Sequence, residues 1–305
     1  MKQQLISGSN PKTVSLSNCK LRLWGGLFLA VTFCIQCNPS QGGKGSPHGT
    51  AASPKMPETN TPTTVPEKNS SAIGAKMEAM AKSDHIALLE FCLKHYHDTY
   101  HNYRCLFQKQ ERMGGTLGPV QGIDIKFMEN PFSVSMHWVK NPPSTLDWVL
   151  YVEGRWKNQM IVRPTGWVSF VGARFRPPDG PDAMKVTVKP VTAFGFERTI
   201  QALIDTYALA RKNGDLRQEF GGYAKVDGRN TLVLVLYVPQ KSGYLGWKIR
   251  TYIDMEYLTP VVLEAYGWDG KHRLTCRYAF HNVKFNVGLT EKDFLPEANG
   301  MTEPH

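Results

Sequence analysis

The chain has 305 residues, 41% of them apolar and 20% charged, an ordinary balance for a protein that buries a core, and wholesale disorder is excluded. No run of about 18 uncharged apolar residues occurs and the mean hydropathy is -0.34, which excludes a polytopic helical membrane protein. The formal charge of +10 includes four basic residues and no acid within positions 1–37, so the remainder carries +6, spread over many segments. A nucleic-acid reader gathers Lys and Arg along one element to neutralise phosphates, so no nucleic-acid partner is expected.

In chain order, Lys20 and Arg22 precede the apolar run from Leu23 to Ile35, which suits the core of an export signal and is too short to span a bilayer comfortably. Cys37 closes that run and is followed by Asn38, Pro39 and Ser40, as a lipid-modified cysteine often is. Cys34, Ile35 and Gln36 stand where a lipobox usually carries Leu, a small residue and Gly or Ala. Lipidation of Cys37 and simple cleavage therefore both stay open. Residues 38–75 are rich in Gly, Ser, Pro and Thr and lack aromatics, so they cannot bury enough apolar area to offset their ordering entropy. They read as a linker with an end-to-end distance of about 35 Å, enough to hold a domain just clear of a membrane surface. The expected organisation is a signal over 1–37, a linker over 38–75 and one folded domain over 76–305.

Within that domain, Ser83 or Asp84 is placed to cap a helix running to about Tyr100, with Ile86, Leu89, Phe91, Leu93 and Tyr96 as its apolar stripe. A second helix is predicted over Phe196–Lys212, where Phe196, Ile200, Leu203, Ile204 and Tyr207 recur at helical spacing and Asn213-Gly214 supplies the stop. Most of the rest alternates with period two. Phe132, Val134, Met136 and Trp138 oppose Ser133, Ser135 and His137; Trp247, Ile249 and Ile253 oppose Lys248, Arg250 and Asp254; and Leu274, Cys276, Tyr278 and Phe280 oppose Arg273 and Arg277. The run from Leu232 to Val238 is apolar on both faces and reads as a central strand covered on both sides. The expectation is a β-rich α+β fold: a large curved antiparallel sheet of about eleven strands, an open half-barrel, with two covering helices.

Cys92, Cys105 and Cys276 fall in the domain, and a bridge between the first two is an open alternative to three buried thiols. No nucleophile elbow, phosphate-binding loop, zinc-protease helix or dinucleotide turn is present. His97 and His101 would share a face if both were helical, but no third ligand is visible and no metal or cofactor is expected. Asp205 with Glu219, and Glu256 with Glu264, read as surface charges.

Several segments, taken in order, resemble the bacterial domain-of-unknown-function family fifteen seventy-one across Tyr103 to Phe294. They are KQER at Lys109–Arg112, IKFMENPFSVSM at Ile125–Met136, LYVEG at Leu150–Gly154, PDGPDAM at Pro178–Met184, AKVDGR at Ala224–Arg229, YID at Tyr252–Asp254, AYGWD at Ala265–Asp269 and NVGLTEKDF at Asn286–Phe294. That family brings no activity and no catalytic residue with it. The order of elements is also distantly similar to the periplasmic lipoprotein-carrier class, LolA- and LolB-like half-barrels, which implies an apolar cavity for acyl chains. The resulting expectation is an exported, periplasmic or membrane-anchored envelope protein, non-enzymatic, which binds a lipid or lipoprotein acyl chain and meets the membrane through its N-terminal tether. Phe132, Val134, Met136, Trp138, Trp247, Ile249, Tyr278 and Phe280 are the candidate lining residues, taken from alternation alone. The rival expectations are an envelope hydrolase with a site assembled from separate strands, for which His281 and Glu264 are the first pair to inspect, and a structural or interaction domain with a filled core.

Overall fold

Asp84, expected as a helix cap, joins two helices and starts the second of them. Its carboxylate accepts from the amides of Ile86 and Ala87, 3.0 and 3.3 Å away, and so caps α2 (His85–Thr99). A helix not expected from the sequence, α1 (Ala72–Ser83), ends directly before it. The structure is a computed structural model and describes residues 72–304; the expected signal, Cys37 and the expected linker up to residue 71 lie outside these. The helix α1 thus covers residues 72–75, part of the expected linker.

The strands are β1 (Asn102–Met113), the two-residue β2 (Thr116–Leu117), β3 (Gln121–Met128), β4 (Ser133–Lys140), β5 (Leu146–Val152), β6 (Met160–Pro164) and β7 (Arg174–Arg176). After the short α3 (Pro181–Met184) and the long α4 (Phe196–Lys212) come β8 (Arg217–Val226), β9 (Arg229–Tyr237), β10 (Lys248–Asp254), β11 (Pro260–Tyr266) and β12 (Leu274–Phe285). All pair antiparallel, in the order β7-β6-β5-β4-β3-β1-β12-β11-β10-β9-β8, with β2 attached to β1. The large antiparallel sheet is thus present; among the described residues there are twelve strands, near the expected eleven, and four α-helices rather than two. Its edge strands β7 and β8 do not pair with each other, so the sheet stays open.

This order has one mechanical consequence. The first half of the sheet runs from β1 outward to the β7 edge, and the second half starts at the opposite β8 edge and returns to β1 through β12. The chain from Pro177 to Asn213 must therefore pass from one edge to the other, and α4 is part of that passage. Phe196, Ile200, Leu203, Tyr207 and Ala210 bury one stripe of α4, which packs against α2 and β11. Burial of such side chains is worth about 1.5–3 kcal/mol each, more than intrinsic helix propensity supplies.

β9 is buried on both faces, as its sequence predicts, with Leu232, Leu234 and Leu236 in the main core and Val233 and Val235 on the other side. It is nevertheless second from the edge, and α1 lies over β8 and β9. Cys92, Cys105 and Cys276 are buried free thiols, so the bridge between Cys92 and Cys105 is not formed.

Gly195 precedes α4 with φ of 113°, and an added Cβ would stand 2.9 Å from Cζ of Phe127. Both the backbone and the space exclude a side chain there. Gly195→Ala is expected to lower stability by about 1–3 kcal/mol through strain and displacement of Phe127, read as a fall in the urea midpoint at unchanged slope. An unchanged midpoint would show that the start of α4 shifts freely.

Candidate ligand cavity

Alternation along β1 sends Tyr103, Cys105, Phe107, Lys109 and Glu111 to the inner face of the sheet. There Phe107 meets Phe194 and Phe280, with ring centroids 5.1 and 4.9 Å apart. Between this face and the segment 178–194 lies a cavity of about 130 Å³. Its sheet wall includes Phe107, Ile123, Met136, Trp138, Val149, Leu263 and Phe280; its cover includes Pro178, Ala183, Val186, Val191 and Phe194. An apolar void of about 150 Å³ is known to take up benzene, so this one is large enough for a ring or a few methylenes as it stands. A longer chain needs the cover to move.

The cover packs through Phe194 on Phe107, Phe127 and Phe280, and the Glu111 carboxylate adds polar ties to it. Glu111 accepts from the Tyr278 hydroxyl at 2.5 Å, the Val188 amide at 3.3 Å and the Thr187 hydroxyl at 3.4 Å. Lys109 lies 3.4 Å from that carboxylate and donates to the carbonyl of Val186. Burial lowers the Lys109 pKa, and Glu111 opposes the shift. Burial also pushes the Cys276 thiol up to about 11, so it is neutral at ordinary pH.

Of the eight residues expected from alternation, the cavity brings together Met136, Trp138, Tyr278 and Phe280. The Trp138 indole donates to Gln121, which fixes the ring at the wall. Phe132, Val134 and Ile249 belong to the same core without lining the cavity. Phe132 is packed by Phe127, Tyr151 and the guanidinium of Arg198, 3.7 Å above its ring. Trp247 stands apart. It precedes β10 and stacks on His272 with centroids 3.7 Å apart, beside Tyr237. Lys109, Glu111 and Lys189 also line the cavity, and the sequence reading does not single them out. The signal for the first two is the unbroken alternation from Phe107 into KQER.

The acid and histidine pairs considered for catalysis do not converge. His281 bonds to Asp227 at 2.7 Å. Glu264 is held by Tyr266, Arg250 and Arg277. α2 ends at Thr99, so His97 and His101 do not share a helix face; His97 faces Glu197 at 3.3 Å. Among the described residues no group of three His, Cys, Asp or Glu side chains could hold a metal.

One carboxyl away from the cavity is strongly perturbed. Burial pushes Glu129 up to about 7, while the Tyr96 hydroxyl donating to it opposes the shift. A carboxyl that binds its proton more tightly when folded favours the folded state at low pH, and that contribution is lost as pH rises from the ordinary carboxyl range through about 7. Glu129→Gln is therefore expected to gain stability relative to the wild type between about pH 5 and about pH 8. A difference in urea midpoint that is the same at both pH values would refute this.

The family described as "Protein of unknown function (DUF1571)" matches residues 100–301. The chain belongs to this family. The match takes in the whole sheet, the cover and α4, and starts at the C-cap of α2. DUF1571 thus contains every wall of the cavity. No curated protein is similar enough in sequence to match. Similar solved structures include the MucA/MucB complex of Pseudomonas aeruginosa, 12% identical with a TM-score of 0.40, covering 71% of this chain and 62% of that one. The lipoprotein LppX of Mycobacterium tuberculosis is 11% identical, TM-score 0.38, covering 68% and 99%. A LolA superfamily protein of Nitrosomonas europaea is 10% identical, TM-score 0.29, covering 69% and 98%. The chain spans less than two thirds of the length of MucB.

Proposed function

We propose that this protein is a non-enzymatic envelope protein that holds an apolar ligand, the acyl chain of a lipid or lipoprotein, between the inner face of its sheet and the segment 178–194. The observation that carries this reading is the cavity beneath a cover joined to the sheet by a few polar contacts. A filled core would leave no such space, and a hydrolase would gather acid, base and nucleophile in it. The open sheet then serves as the wall of a half-barrel and the crossing segment as its closure. Transfer of a chain into such a site is favourable by about 0.8 kcal/mol per buried methylene. The apolar run at Leu23–Ile35 supports export, residues 38–71 would act as the tether, and Cys37 is the candidate anchor.

The test is the native mass of the full-length protein, purified under mild conditions, before and after extraction with organic solvent. An added mass that leaves with the lipid fraction is the expected result. A bare polypeptide mass, with no uptake of added palmitate or phospholipid, would overturn the proposal.

A further inference from the structure

The cavity is not uniformly apolar, and its charges do not balance. Lys109 and Glu111 are 8% and 6% exposed and face each other at 3.4 Å, so they compensate one another. Lys189, on the cover, lines the same space with its ammonium 5.9 Å from the centre of the Tyr278 ring. No acidic side chain among the described residues forms an ion pair with it. Glu111 is already committed to Lys109, Tyr278, Thr187 and Val188. The neighbouring thiol of Cys276 is neutral and offers no counter-charge. Two ammonium groups thus share one carboxylate at the polar end of an apolar space. Lys189 is half-buried at this end of the space; burial lowers its pKa, and the nearby Glu111 carboxylate only partly opposes the shift. An anion arriving with the ligand would restore the pairing.

We propose that the cavity selects a single-chain anionic amphiphile, with its chain against Phe107, Met136 and Phe280 and its carboxylate or phosphate on Lys189 beside Lys109. This rests on the apolar-ligand reading and adds the headgroup to it. Charge-assisted hydrogen bonds contribute more than neutral ones, so the headgroup adds to affinity as well as to orientation.

The test compares three probes on the full-length protein by calorimetry: palmitate, hexadecyl phosphate and hexadecanol, which share a chain length and differ in the head. At least one anion is expected to bind about ten-fold or more tightly than hexadecanol. Lys189→Met is expected to erase that preference and leave hexadecanol affinity nearly unchanged, while Lys189→Arg retains it. Whichever of palmitate and hexadecyl phosphate binds more tightly identifies the headgroup as carboxylate or phosphate. Equal binding of all three by the wild type, or a Lys189→Met protein that weakens all three alike, overturns the headgroup assignment and leaves the apolar site standing. Failure of every probe overturns both. Lys189→Gln serves as the second variant should Lys189→Met not fold, and the wild-type comparison is decisive without either.

Discussion

Glu111→Ala is expected to lower the stability of the domain by about 3–5 kcal/mol, the range for breaking a buried ion pair by removing one partner. The cost arises from what stays behind. Lys109 keeps its charge in a site where it is 8% exposed, and the Tyr278 hydroxyl and Val188 amide are left without their acceptor. Glu111→Gln keeps the shape and one acceptor oxygen but turns the other into an NH2 donor, so it is expected to cost less than the alanine, about 1–3 kcal/mol. The pH dependence separates an ion-pair effect from poorer packing. The folded Lys109 pKa already lies below its ordinary value, and without Glu111 it falls further. Between the folded and unfolded values the unfolded chain binds more protons, so stability rises with pH in that window. The deficit of Glu111→Ala in urea denaturation is accordingly expected to shrink as pH is raised from about 7 toward about 10. A deficit that stays constant over that range would mean that packing alone is impaired.

The same substitution bears on function through the cover. Thr187 and Val188 are joined to β1 through the Glu111 carboxylate, and Val186 through Lys109. Loosening them is expected to speed uptake and release of the ligand together, with less effect on their ratio, because these hydrogen bonds restrain the lid and do not touch the chain.

The parts of this molecule that are legible in the sequence are those with a local period. The helix predicted over Phe196–Lys212 has those bounds in the structure, because its stripe, its stop and its buried face all repeat on one period. Phe132, Val134, Met136 and Trp138 alternate along one stretch of chain, as predicted, yet only the last two line the cavity; a period fixes a face and says nothing about what lies opposite it. The doubly apolar β9 illustrates the same gap: its pattern reports burial on both faces, but not that it pairs with the edge strand β8 or that α1, whose first residues fall in the expected linker, lies against it. The segment 178–194 has no period at all, since its short turns take their form from the sheet beneath. Lys109 and Glu111 carry a readable signal that is easily passed over, because a charged pair at the end of an apolar strand face resembles a solvated end until a cover is known to lie over it.

That cover is where the largest functional effect is expected. Ala183 lines the cavity and packs against the main core, so Ala183→Phe adds one benzene-sized ring to a void of about 130 Å³. Filling an existing void restores dispersion contacts that its walls lack, and overpacking costs about 1–3 kcal/mol, so the net change in stability is expected to be small. Binding should suffer far more. Excluding about four methylenes at about 0.8 kcal/mol each removes about 3 kcal/mol, roughly two orders of magnitude in affinity. Palmitate titration of Ala183→Phe, beside a urea denaturation to confirm the fold, measures both quantities on one preparation. A folded variant that binds palmitate as tightly as the wild type would place the acyl chain elsewhere, since a blocked chamber cannot keep its occupant.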